Sequence, residues 1–475
     1  MDKKKSTAQR SGRNAKKGPN KFLLIFLILI LAYVISVTVT VKNTLNVKPL
    51  GSRTEAQEKY LEQVLDQKFP ERTSIELYKS PFEIEPDDLS MNAESAIIID
   101  VATGEILYEK DADLEIPPAS MTKIVEMYVV LDAVENGLVS LDDTVPLPSE
   151  SWEENIPWDA SRMHLAKGQK VTLRELLLGL AICSGNDASI AVANYISGSM
   201  DSFVARMNEA AESMGLTKTS FVESSGYSEE NMTTAREFAT FARQYIKRFP
   251  YALEEFHSQP KIRYPEQKNM PEGKEAVPYT QQNTNKLLDE IPGCDGLKTG
   301  YIDESGYNIS VTAEQNGTRF LSVTMGGPGM NMIEGNKYRV EDNKRLFDFA
   351  FENFADYHAP KGENSHEYTR GIFGGKENAV KLVPALDETF AVPILADPDT
   401  EKVQTVTTEV SIPDYLFGRV ECGAQYGTIS YKSNGVTLRT IPLVADRTVE
   451  AGNIFSMFIG KSAAIAAKLF PKKTK

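Results

Sequence analysis

At 475 residues the chain is long enough for two to four domains, and 41% hydrophobic with 25% charged residues is a globular balance. Its net charge of −14 is unevenly spread: residues 1–21 hold eight basic side chains and one acidic, a local +7 that leaves −21 on the rest. So acidic a body argues against nucleic acid as a partner.

The basic head runs into Phe22–Val41, twenty residues without a charge. As a helix this stretch spans about 30 Å, the thickness of a bilayer's hydrocarbon core. Val39-Thr40-Val41-Lys42 offers no small-residue cleavage site, so the sequence predicts an uncleaved transmembrane anchor. The positive-inside rule then leaves residues 1–21 in the cytoplasm and places everything after Lys42 outside.

Residues 42–85 read as a polar stalk carrying a short helix over Glu55–Gln67. A hairpin comes after it: Ser95–Asp100, a turn at Ala102-Thr103-Gly104, and Ile106-Leu107-Tyr108. From Ser120 to about Gln244 the pattern is mainly helical. One apolar helix runs from Leu173 to Cys183, a second is capped by Asp201, and a third spans Thr234–Tyr245. Strands return at Tyr307–Thr312 and Arg319–Met325 around Asn316-Gly317, a strong hairpin signal. A helix over Val340–Phe354 closes the unit. Strands at both ends with helices between predict an α+β domain over 86–355.

Residues 356–375 read as a linker. The segment 376–450 gives short β runs, at Thr389–Val392, Val403–Val410, Gly427–Tyr431 and Val436–Leu438, the last pair divided by Ser433-Asn434-Gly435. These predict a small all-β domain. The tail, 453–475, has five lysines, no acid, and Ile454, Phe458, Ile465 and Leu469 near one helical face. That is a basic amphipathic helix suited to a membrane surface.

Cys183, Cys294 and Cys422 are odd in number and far apart, which indicates neither a disulfide framework nor a zinc site. His164, His257, His358 and His366 are scattered and read as surface or packing residues.

Three stretches carry chemistry. In Pro117-Pro118-Ala119-Ser120-Met121-Thr122-Lys123, Ser120 and Lys123 share one face of the turn that opens an apolar helix. Free amides there suit a serine nucleophile, and a buried neutral lysine can serve as its base; Ser120 could equally be only a cap. In Ser184-Gly185-Asn186-Asp187, Ser184 can relay a proton and Asn186 can orient a base or hold a carbonyl; helix capping would explain the same residues. In Gly293–Tyr301, Lys298, Thr299 and Gly300 on an edge strand would line a groove for an anionic ligand, or simply form a turn.

Taken together, S-x-x-K, S-x-N and K-T-G in this order resemble the serine DD-peptidases and serine β-lactamases. The surroundings, including Asn283-Thr284-Asn285, Ser305-Gly306-Tyr307-Asn308 and Thr233-Thr234-Ala235-Arg236, resemble the D-alanyl-D-alanine carboxypeptidases, the low-molecular-mass penicillin-binding proteins. The resemblance is strong over 86–355 and weaker through the β domain and tail. It implies an α+β transpeptidase-like domain, an antiparallel sheet with a helical subdomain, followed by the small β domain. Ser120 would attack the penultimate D-alanine carbonyl, Lys123 take its proton, Ser184 protonate the leaving D-alanine, and Asn186 hold the substrate amide and Lys123. Lys298, Thr299 and Arg339 would bind the terminal carboxylate, with Gly300 lining the groove and the Ser120 and Tyr301 amides holding the oxyanion. Peptidoglycan stem peptides ending in D-Ala-D-Ala and β-lactams are the implied partners; no metal or organic cofactor is.

The chain departs from the family in its N-terminal anchor and in Glu223-Ser224-Ser225-Gly226-Tyr227, where a His-Gly-Leu-like end is usual. Cys183 and Cys294, beside two motifs, read as packing residues. A class A β-lactamase would need a glutamate four residues before an asparagine, and Glu223 is followed four later by Tyr227. The same residues could perform DD-endopeptidase cleavage of cross-links, and a non-catalytic envelope scaffold could keep the fold without turnover.

Overall fold

The computed structural model describes residues 21–82, 84, 89–362, 365–394, 406–433 and 435–470. The head up to Asn20, the start of the strand expected from Val403, Asn434 and the last lysines lie outside them.

An apolar helix, α1 (Lys21–Leu45), is followed by α2 (Glu55–Lys68), which Thr54 and Gln57 start with a reciprocal capping box. Then come β1 (Tyr78–Lys79), β2 (Ser95–Asp100) and β3 (Glu105–Lys110). The helical stretch contains α3 (Lys123–Glu135), β4 (Thr144–Val145), β5 (Val171–Thr172), α4 (Leu173–Leu178), α5 (Asn186–Ser197), α6 (Met200–Ser213) and α7 (Ala235–Arg248). After β6 (Lys261–Tyr264) and β7 (Tyr279–Gln282) the chain returns through β8 (Cys294–Ile302), β9 (Gly306–Gln315) and β10 (Thr318–Gly327) to α8 (Met332–Asn353).

The principal sheet has the order β1-β3-β2-β10-β9-β8. Its β2, β8, β9 and β10 pair antiparallel, and β1 joins β3 in parallel. Strand β2 is buried along its whole length, so its two faces feed two cores. Ile97 and Ile99 meet the helices α3–α7, while Ala96 and Ile98 meet Leu346, Phe347 and Ala350 of α8. That explains why Ala96–Ile99 is an unbroken apolar run rather than an alternating one. The β9–β10 turn is Asn316-Gly317 at φ +53° and +81°, the left-handed pair that a two-residue hairpin requires.

Two expected boundaries move. Ser199, not Asp201, caps α6, because its extended backbone lets the hydroxyl accept from Ser202 N. The helix expected from Val340 begins a full two turns earlier, where Asn331 caps it and Gly335 leaves room for the Tyr307 ring.

The second unit holds β11 (Phe354–His358), β12 (Tyr368–Phe373), β13 (Ala379–Pro384), β14 (Thr389–Pro393), β15 (Val406–Ser411), β16 (Tyr415–Phe417), β17 (Gln425–Ser433) and β18 (Val436–Ala445). A six-stranded sheet, β15-β17-β18-β13-β12-β16, stands beside the β11–β14 pair. The residues expected as a linker thus supply strand: β11 ends inside 356–375 and β12 lies within it. The expected stalk is also built in. Leu61 and Leu65 of α2 are 2% and 3% exposed in the core of this β unit, each contributing about 1.5–3 kcal/mol by burial.

Helix α1 is apolar and long enough to cross a membrane. The last helix, α9 (Ile454–Leu469), packs beside it: Tyr33 Oη donates to Ser462 Oγ at 2.7 Å, and Val37, Val41 and Leu45 meet Ala463 and Ala467. Phe455, Phe458, Ile465 and Leu469 stay exposed on the outer face.

Where the units meet, Asp356 of β11 faces Asp100 and Glu105. Burial, then the neighbouring carboxylates, pushes Asp356 up to about 9. Arg243, whose guanidinium donates to the Val101 and Ala102 carbonyls, offsets only Asp100 of this cluster, and only in part. A folded-state value above the unfolded one of about 4 means that the fold keeps a proton the unfolded chain releases. Stability from this site is therefore greatest in acid and is lost as pH rises towards about 9. Asp356→Asn is expected to raise the melting temperature by a few degrees at about pH 8.5 and by clearly less at about pH 5.5. Equal shifts at both would refute the assignment.

Candidate active site

The site forms where the turn before α3 meets the α4–α5 corner, the 221–233 loop and the open edge of the sheet. Ser120 sits in a 3₁₀ turn, Ala119–Thr122, just ahead of α3. Ala119 is held at φ +49°, a left-handed conformation that costs an alanine about 1–2 kcal/mol. Two glycine backbones clamp it. A Cβ on Gly226 would lie 1.9 Å from Ala119 O, and one on Gly300 would lie 2.4 Å from Pro118 O. Only glycine admits such approaches.

Lys123, fully buried, lies one turn below. Its Nζ has three acceptors: Ser120 Oγ at 3.1 Å, Asn186 Oδ1 at 2.8 Å and Ser225 O at 2.5 Å. Burial pulls the ammonium down to about 8, against the opposing pull of Glu126 and Glu223. The neutral amine can keep its two N–H bonds to Asn186 and Ser225 and turn its lone pair on Ser120 Oγ, the geometry of a general base.

The expected helix to Cys183 is regular only to Leu178; Gly179–Cys183 widen into a π turn. Such turns mark functional sites because they re-aim the residues after them. Ser184 comes next, at φ +61°, with a buried Oγ that has no hydrogen-bond partner. Asp187 pins the corner, accepting from the Met163, His164, Leu165 and Ala188 amides at 2.7–2.9 Å.

The third wall is β8, the strand at the open end of the sheet. Lys298 is 1% exposed; burial, then the nearby Lys123 and Arg339 cations, pushes it well below the usual lysine range. Thr299 Oγ1 donates to Thr284 Oγ1 at 2.8 Å. Arg339 reaches the strand from α8: it donates to Gly300 O and lies 4.9 Å from the centre of the Tyr307 ring. That bond braces the strand edge beside the site. The Tyr301 ring packs at a tilt against Tyr307, with centroids 4.4 Å apart.

All nine residues singled out in the sequence thus lie on these adjoining walls. Sequence reasoning missed the floor. Ser225 supplies a carbonyl to Lys123, and Glu223 holds that loop by accepting from Ser225 N, Gly226 N and Asn231 Nδ2. Asn308 ties Pro117 O to the sheet at 2.9 Å. The signal available was Glu223 followed closely by Gly226, a carboxylate and glycine spaced for a tight turn. Burial pushes the Cys183 and Cys294 thiols up to about 12, which fits packing rather than reactivity. His257 is buried, too, between Tyr245 Oη and Leu297 O, and burial holds it down at about 4. Among the described residues no cluster of histidine, cysteine or acid is placed to hold a metal ion.

A family model described as D-alanyl-D-alanine carboxypeptidase matches residues 82–329, and one described as penicillin-binding protein 5, C-terminal domain, matches 358–451. The chain is 30% identical over 360 residues to D-alanyl-D-alanine carboxypeptidase DacF of Bacillus subtilis, covering 75% of this chain and 86% of that one. It is likewise 30% identical over 372 residues to D-alanyl-D-alanine carboxypeptidase DacC of Escherichia coli, covering 77% and 86%. Among solved structures, penicillin binding protein 5 from Haemophilus influenzae superposes with a TM-score of 0.65 at 27% identity, covering 78% of this chain and all of that one.

Proposed function

The chain belongs to the D-alanyl-D-alanine carboxypeptidase family and is a serine-type peptidase of that kind, and we propose that its reaction runs through an acyl-enzyme on Ser120. The single observation that carries this is the triangle of acceptors around the buried Lys123 Nζ, one of which is Ser120 Oγ. Neutral Lys123 takes the Ser120 proton as Oγ bonds to the carbonyl carbon of the penultimate D-alanine. The oxyanion is held by the Ser120 and Tyr301 amides. The C–N bond then breaks, Ser184 passes a proton to the departing D-alanine, and water hydrolyses the ester.

Peptidoglycan stem peptides and β-lactams are the ligands this reading assigns. An extended peptide can lie along the open edge of β8, with Gly300 allowing close approach. Its terminal carboxylate meets Lys298, Thr299 and Arg339; Asn186 holds the substrate amide. We assign catalysis to the 86–355 unit. Helix α1 anchors it as a single span, with α9 alongside, and the catalytic unit faces the outside of the cytoplasmic membrane; the apolar length of α1 supports the anchor.

The test is release of free D-alanine by the full chain in detergent from a peptide ending in D-Ala-D-Ala. Mass mapping of a penicillin adduct accompanies it. Release with the adduct on Ser120 is expected. A folded protein that releases nothing, or carries its adduct elsewhere, would refute the assignment.

A further inference from the structure

Glu126 is a charge in the middle of the apolar run that begins α3. It is fully buried, and neither carboxyl oxygen has a hydrogen-bond partner. Ser189 Oγ, paired with Ser224 Oγ at 2.6 Å, lies alongside and opposes the effect of burial only in part. An ionised carboxylate left so bare is costly, and a neutral acid is far less so. Its position is also specific: three residues after Lys123, it sits on the same helical face, one turn further from Ser120.

We propose that Glu126 is a positioning residue for the reaction, a buried carboxyl that competes with Lys123 for a proton and so sets the pH at which Ser120 is activated. The inference rests on Lys123 serving as the base. Burial pushes Glu126 up to about 8, and Lys123 is drawn down to about 8. The two therefore titrate as a pair rather than as separate groups. Other charges face the pair. Glu223 from the 221–233 loop and Asp187 from α5 favour the ammonium, as does the Cys183 thiol when ionised; Lys298 from β8, backed by Arg339, opposes it. When Glu126 ionises, its charge holds Lys123 protonated. When Glu126 is neutral, that hold is absent and Lys123 is free to lose its proton.

Removing the carboxyl removes a group that raises the lysine, so the acid limb of activity must move to lower pH. With the full chain in detergent, the rate of penicillin labelling is followed across pH for the wild type, Glu126→Gln and Glu126→Met. At about pH 8, where Glu126 ionises, each variant, relative to its own plateau, is expected to label about 1.5-fold faster than the wild type, half a unit's displacement at the middle of the limb. A merely structural role would change the plateaus and leave the limb in place. Superimposable limbs overturn the proposal.

Should neither variant fold, the wild type decides. Infrared difference spectra between free and penicillin-labelled protein must contain a protonated carboxyl that changes on labelling, and its absence overturns the proposal as well. Failure of the underlying reading looks different: Ser120→Ala would then be labelled as readily as the wild type, and Glu126 would have no base to influence.

Discussion

Lys123→Met is expected to slow penicillin labelling of Ser120 about a thousandfold, the middle of the range for losing a general base. Ser120→Ala should leave no adduct at all. Methionine keeps roughly the volume of the buried stem and removes the amine that joins Ser120 Oγ, Asn186 Oδ1 and Ser225 O. With the amine gone, the Ser225 carbonyl still faces Ser120 Oγ at 3.5 Å, but a backbone carbonyl cannot carry away a full proton. The hydroxyl then attacks unassisted. Residues that act as one unit lose their effect together, so the double variant should release D-alanine no more slowly than Ser120→Ala alone. Labelling by Lys123→Met within tenfold of the wild type, at matched pH, would remove lysine from the role of base.

Gly226→Ala is expected to cut labelling about a hundredfold or more and to destabilise the protein by about 2–4 kcal/mol. Two causes combine. The position has φ +79°, and an added Cβ would stand 1.9 Å from Ala119 O and 2.8 Å from Ser120 N. The methyl cannot be accommodated by a flexible side chain, because both atoms are backbone of the nucleophile's own turn. That turn must shift by on the order of 1 Å, a displacement that costs about a hundredfold where reacting groups are concerned. Gly137→Ala is the control. Its φ is +68° with nothing within 4 Å of the added Cβ, so it carries the backbone strain alone and should leave labelling unchanged. If both variants label normally, the clamp on Ala119 has no part in holding Ser120.

The motif residues were legible because each belongs to a short local signal. Ser120 and Lys123 are three apart on one helical turn, Ser184 and Asn186 share a corner, and Lys298–Tyr301 occupy one strand. Spacing within a single element survives in a linear reading. Glu126 carried no signal of its own in the sequence, since its complete burial beside Lys123 depends on how the neighbouring helices pack. The apolar run predicts one helix through to Cys183, yet the π turn that rotates Ser184 leaves no mark in composition. Likewise the polarity of residues 42–85 suggests a stalk, because two buried leucines in α2 are too few to stand out from the charges around them.

By itself, then, the sequence determined the chemistry on offer, the α+β unit with its β successor, and an apolar segment long enough to span a membrane. These come from periodicity, turn residues and side-chain type, all local properties. Only the tertiary structure decided how that chemistry is tuned. It turned Ser225 O towards Lys123, set Gly226 and Gly300 on either side of Ala119, placed Arg339 behind Gly300, and packed α2 into the β unit. Each of these joins segments distant in the chain, and such contacts depend on packing and on which groups burial leaves without water.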